Sequence, residues 1–129
     1  MTRPFRFAAL ALVASSLAMP HAAFAQADVA ASTPADGSTV SSPRVITLTF
    51  SDPLQPATTA ASIVMTAMPG VKNHGEMAIR NFTTAWSDEN RTMTLNLRQP
   101  LRAGTYEVRW HAVGADAHRM TGTVNFVVQ

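Results

Sequence analysis

From Arg44 onward the apolar side chains recur at every second position. Arg44-Val-Ile-Thr-Leu-Thr-Phe50 puts Ile46, Leu48 and Phe50 on one face and Thr47 and Thr49 on the other. Thr92–Leu97 sends Met93, Leu95 and Leu97 one way and its polar residues the other. Thr105–His111 alternates Tyr106, Val108 and Trp110 against Thr105, Glu107, Arg109 and His111, and Thr123–Val128 turns Val124, Phe126 and Val128 inward. Such alternation is that of antiparallel strands with one buried face.

Weaker runs at Asp28–Ser32, Ser62–Thr66 and Met77–Ala85 bring the count to about seven strands. They are separated by turn material: Pro34-Ala-Asp-Gly37, Asp52-Pro53, Asp88-Glu-Asn90 and Arg102-Ala-Gly104. One short helical turn is expected near Ala57–Ala61. The pattern predicts an all-β chain, a single Greek-key β-sandwich or barrel of immunoglobulin-like type.

The first 25 residues fall outside this pattern. Arg3 and Arg6 begin them, Phe7–Met19 is apolar and uncharged, and Ala23-Phe24-Ala25 gives a small-x-small cleavage pattern. Residues 1–25 therefore read as a cleaved signal peptide, and residues 26–129 as one domain of an exported protein with no membrane span. Removing Arg3 and Arg6 takes the ten basic residues to eight, against eight acidic ones. Nothing in the sequence of this neutral domain suggests the basic stripe that nucleic acid binding requires. There is no cysteine, so packing alone holds the domain, and any soft metal ligand must be methionine.

Two groups of residues could carry chemistry. Met65-Thr-Ala-Met-Pro-Gly-Val-Lys-Asn-His-Gly-Glu-Met77 crowds three of the seven methionines and one of the four histidines into a short segment broken at Pro69-Gly70. On a regular strand Met65 and Met68 face opposite sides. A loop from about Ala67 onward can instead fold Met65, Met68, His74 and Met77 toward one point, where thioethers and imidazole suit Cu(I). Core filling competes with this reading, since methionine adapts to irregular gaps, and for Met93 on its inward face core filling is the expectation. The second group is Asp116-Ala-His118, whose carboxylate and imidazole can share Cu(II) or Zn(II), or simply form a solvated turn. His111, on the outward face, is expected at the surface. No nucleophile elbow, phosphate loop, HExxH motif or carboxylate pair accompanies these residues, and no enzymatic activity is expected.

Several motifs lie in one order along the chain: Ser32-Thr33-Pro34-Ala35-Asp36-Gly37, Phe50-Ser51, Met65-Thr-Ala-Met-Pro-Gly70, Ala103-Gly-Thr-Tyr-Glu-Val-Arg-Trp110, and Asp116-x-His118-x-x-x-Gly122-x-x-x-Phe126. Together they resemble the CopC family of bacterial periplasmic copper-resistance proteins. The resemblance implies a Greek-key β fold and a copper carrier, with Cu(I) ligands drawn from Met65, Met68, His74 and Met77. It also implies a Cu(II) site at the other end of the fold that includes Asp116 and His118. Inner-membrane copper transporters or periplasmic copper oxidases are the partners it implies, for a monomeric carrier.

The chain departs from the family pattern at two places. Val71 stands where other members have a further loop methionine, with His74 spaced one residue further along; three sulfurs and an imidazole still satisfy Cu(I). Gln26 stands where family members with a tight Cu(II) site begin with histidine, so Cu(II) binding at Asp116 and His118 is expected to be weakened or lost. The competing function is an immunoglobulin-like interaction module that docks a partner through its methionines without metal.

Overall fold

The computed structural model describes residues 28–72, 75–113 and 117–129. Gln26, His74 and Asp116 lie outside the described residues, as does the whole of the expected signal peptide.

Among the described residues nine strands form two sheets. The first sheet pairs β1 (Val29–Thr33), β3 (Val45–Phe50), β7 (Thr92–Leu97) and β6 (Phe82–Ser87) in that order, all antiparallel. The second runs β2 (Ser38–Val40), β9 (Arg119–Val128), β8 (Gly104–Val113), β4 (Ala60–Ala67) and β5 (Met77–Ile79), with only the β2–β9 pair parallel. This is the all-β Greek-key sandwich that the alternation predicts.

The inward faces are those read from the sequence. Ile46, Leu48 and Phe50 from β3, Met93, Leu95 and Leu97 from β7, Tyr106, Val108 and Trp110 from β8, and Val124, Phe126 and Val128 from β9 are all buried in one core. Aromatic pairs join the layers and the strands: Phe50 meets Trp110 edge-on at 5.0 Å, and Tyr106 stacks on Phe126 at 5.6 Å.

Three details differ from the expectation. The run Met77–Ala85 is two strands, β5 and β6, because the chain leaves one sheet at Arg80-Asn81 and enters the other. Ser38–Val40, just past the Pro34–Gly37 turn and without an assignment from the pattern, is a three-residue strand made when it pairs with the end of β9. The helical turn is a single 3-10 turn at Pro56–Thr58, and the strand begins already at Ala60.

Candidate metal centre

The methionine segment lies where the second sheet ends. Met65 on β4 is paired directly with Met77 on β5 on one side and with Tyr106 on β8 on the other. Directly opposed residues of antiparallel strands point to the same face, so the two thioethers lie side by side in a row that continues through Tyr106 to Phe126. Two of the three methionines are therefore strand residues, Met77 on the edge strand and Met65 on the strand beside it, and only Met68 belongs to the loop.

Met68 reaches the same place through a change of register. The pairing of β4 with β8 slips between Met65 and Ala67, leaving Thr66 as the extra residue with its hydroxyl donating to the Thr105 carbonyl at 3.3 Å. A bulge of this kind bends the strand and re-aims the side chains after it. The chain then turns: Val71 N–H donates to the Met68 carbonyl at 3.2 Å, with Pro69 second and Gly70 third at φ +75. Proline followed by a positive-φ glycine is the demand of a type II turn. The strict alternation that separates Met65 from Met68 in a regular strand thus does not apply.

Met65, Met68 and Met77 line one cleft of about 240 Å³ with Leu101, Arg102 and Tyr106, while Asn81 and Gln99 add amide groups. Exposure rises across it, from 3% at Met65 to 47% at Met77, so the cleft is closed at its base and open at the sheet edge. Among the described residues its lining offers three thioethers, two amides and the Tyr106 phenol, with the Arg102 guanidinium and no carboxylate. That donor set fits a soft monovalent ion and gives little to a hard divalent one, which takes oxygen ligands.

Residues outside the methionine segment shape this cleft. A Cβ on Gly104 would lie 2.8 Å from the Ala67 carbonyl and 3.2 Å from Met65 Cε, so glycine there makes room for both the bulge and the sulfur side chain. The Tyr106 hydroxyl donates to the Arg102 carbonyl at 2.7 Å and ties down the wall formed by residues 99–102. Burial pushes this phenol above its ordinary pKa, so it remains a donor at neutral pH. On the outer face Arg109 reaches across β4 to Glu76, the residue before Met77, in a two-pronged pair at 2.7 and 3.2 Å, and also holds Glu107 at 3.2 Å. Hydrogen bonds from this guanidinium hold the Glu76 carboxyl below the usual range. Apart from the Arg109–Glu107 pair, two residues apart on one strand face, none of these roles has a sequence signal beyond the strand pattern, because the partner lies dozens of residues away or acts through backbone.

The second group is only partly described. His118 is exposed and immediately precedes β9, after Ala117 at φ +65; Asp116 and Gln26 lie outside the described residues. His111 is exposed on the outward face of β8, opposite Thr121. Among the described residues no three His, Asp or Glu side chains come together. His118 and the methionine cleft lie at opposite ends of β8, whose ten residues span roughly 30 Å at about 3.3 Å each. Met93 is fully buried in the core, far from any such role.

Comparison with known proteins gives a consistent picture. Residues 29–129 match the CopC domain family model. The chain is 40% identical over 121 residues to copper resistance protein C of Pseudomonas syringae pv. tomato, covering 94% of this chain and 90% of that protein. It is 35% identical over 113 residues to copper resistance protein C of Escherichia coli, covering 88% and 89%. The crystal structure of PcoC, a methionine-rich copper resistance protein from Escherichia coli, superposes with a TM-score of 0.72 at 35% identity, covering 81% of this chain and all of that one.

Proposed function

The chain belongs to the CopC family, and from that premise we propose that it is a periplasmic copper carrier that holds Cu(I) in the methionine cleft and hands it on without catalysing a reaction. The observation that carries this reading is the convergence of Met65, Met68 and Met77 on one half-open cleft free of carboxylates among the described residues. His74 joins them as the fourth ligand on the family pattern. Thioethers on a sheet edge and a turn release copper stepwise, since a partner's ligands can displace them one at a time from the open Met77 side.

In this reading residues 1–25 are removed on export and the carrier is the monomeric domain from Gln26. Asp116 and His118 bind Cu(II) weakly, because glutamine replaces the N-terminal histidine whose amine and imidazole complete that site in the family. Among the described residues no helix is long and apolar enough to cross a membrane, and the cargo passes to an inner-membrane transporter or a periplasmic copper oxidase.

A competitive Cu(I) titration of the protein starting at Gln26, beside the variant Met65→Leu/Met68→Leu/Met77→Leu, tests the proposal. One tightly bound Cu(I) in the native protein and none in the folded variant is the expected result. Equal binding by both, or by neither, overturns it; binding by neither leaves the methionines as a metal-free docking surface.

A further inference from the structure

The methionine end differs from the rest of the surface in more than sulfur. Among the described residues the exposed large hydrophobic side chains are Val45, Val71, Met77 and Val127, and all four lie at this end. Val45 opens β3, Val71 closes the Met68 turn, Met77 opens β5, and Val127 near the end of β9 pairs with Thr105 at the start of β8.

Cations surround them. Arg44 precedes Val45 and donates to the Arg98 carbonyl at 3.2 Å, Lys72 follows Val71, and Arg102 lines the cleft. Arg80 sits between the cleft residues Ile79 and Asn81. All five are exposed, and none forms a salt bridge among the described residues. Of the side-chain carboxylates toward this end, Arg109 takes Glu76 and Glu107, and Asp36 accepts from the Asn125 amide at 2.8 Å.

The opposite end has the other sign. Asp28 stands before β1, Asp52 follows β3, and Asp88 and Glu89 form the turn from β6 to β7, against Arg91 and Arg119. The domain from Gln26 is neutral in total, with an excess of cations at one end of the sandwich and of carboxylates at the other.

We propose that the methionine end is a docking face for an acidic protein surface, a rim of carboxylates around the partner's own copper ligands. Apolar contacts ringed by cations give the patch an apolar centre and a charged border, and opposite charge on the partner speeds encounter and fixes orientation. Four of the five cations are arginine, whose planar fork matches carboxylates two-pronged. An anionic membrane would also attract the charges, yet lipid phosphate offers no soft donor to accept a thioether-bound ion. Cu(I) held by neutral ligands keeps its positive charge, which adds to the ring and draws an acidic acceptor further. The transfer step and the preference for a protein over a membrane rest on the proposed copper site; the cation-ringed apolar face does not.

The test uses a synthetic peptide with a methionine-rich copper-binding stretch flanked by glutamates, and its counterpart with every glutamate changed to glutamine. Each is titrated into the copper-free protein while amide chemical shifts are followed, and each then takes Cu(I) from the loaded protein in a stopped-flow experiment. The acidic peptide is expected to shift Val71, Met77, Arg98 and Val127 while sparing Asp52 and Asp88. It is also expected to accept Cu(I) roughly tenfold faster than the neutral peptide at low salt. That advantage shrinks near physiological ionic strength, where the screening length is about 8 Å. The variant Arg44→Gln/Lys72→Gln/Arg98→Gln loses it with Cu(I) affinity unchanged; should this variant fail to fold, Lys72→Glu in the exposed turn reads the same loss.

Equal binding of the two peptides, shifts centred on the acidic end, or tighter binding to phosphatidylglycerol/phosphatidylethanolamine vesicles than to the acidic peptide overturns the proposal. Docking of the acidic peptide by a protein that binds no Cu(I) refutes the carrier reading and leaves the face standing.

Discussion

Met93 and Met77 carry the same side chain into opposite circumstances. Met93, the second residue of the interior strand β7, sits between Leu48 of β3 and Trp86 of β6, fully buried. Met77 begins a three-residue edge strand, half exposed, with a second methionine directly across the ladder and a third folded in from the neighbouring turn. In the centre, sulfur is one more polarizable atom in a close-packed core. At the edge it is an accessible donor beside two others. In the proposed function, position in the sheet, and not residue type, separates packing from ligand chemistry.

The sharpest way to break this contrast is truncation in the centre. Met93→Ala is expected to destabilise the domain by about 2–5 kcal/mol in urea unfolding, with Cu(I) affinity of the remaining folded protein unchanged. Weaker copper binding out of proportion to unfolding would refute the division.

Next come two glycines that separate the regions. Gly122 lies opposite Trp110 on β9, and a Cβ there would fall 2.6 Å from the indole Nε1 and 2.7 Å from two ring carbons. Gly122→Ala is expected to cost about 1–3 kcal/mol by overpacking and to leave copper alone. Gly104→Ala, crowding the Ala67 carbonyl and the Met65 methyl, is expected to cost a similar amount and also to weaken Cu(I) binding. If titration shows the two variants with the same copper affinity, Gly104 does not shape the site.

Tyr106→Phe removes the hydroxyl bond to the Arg102 carbonyl and is expected to cost about 0.5–1.5 kcal/mol, with faster amide exchange confined to residues 99–103. Smallest is Met77→Leu, which keeps the volume of an exposed side chain. Its stability is expected to stay within about 0.5 kcal/mol of the native protein while Cu(I) affinity falls at least tenfold. A stability loss without a copper effect would return Met77 to the role of a packing residue.

The legibility of the sequence follows the same division. Strands β3, β7, β8 and β9 are written in their alternation because one face of each is buried along its whole length. β2 and β5, at three residues each, are too short to show a period and exist through their partners. The concentration of methionine is visible in the sequence. Its arrangement is not, because the Met65–Met77 pairing and the bulge after Met65 are facts of register between strands. Gly122 appears in the sequence as a motif without a reason, and the reason is the indole 12 residues earlier that folds against it.

The most direct test of the central claim follows the methionine methyl groups by NMR in protein labelled at Cε, as one equivalent of Cu(I) is added. The methyl signals of Met65, Met68 and Met77 are predicted to shift together and saturate at one copper, while Met93 stays in place. Movement of Met93, or no movement at the three cleft methyls while copper is bound, would place the ion elsewhere and contradict the account.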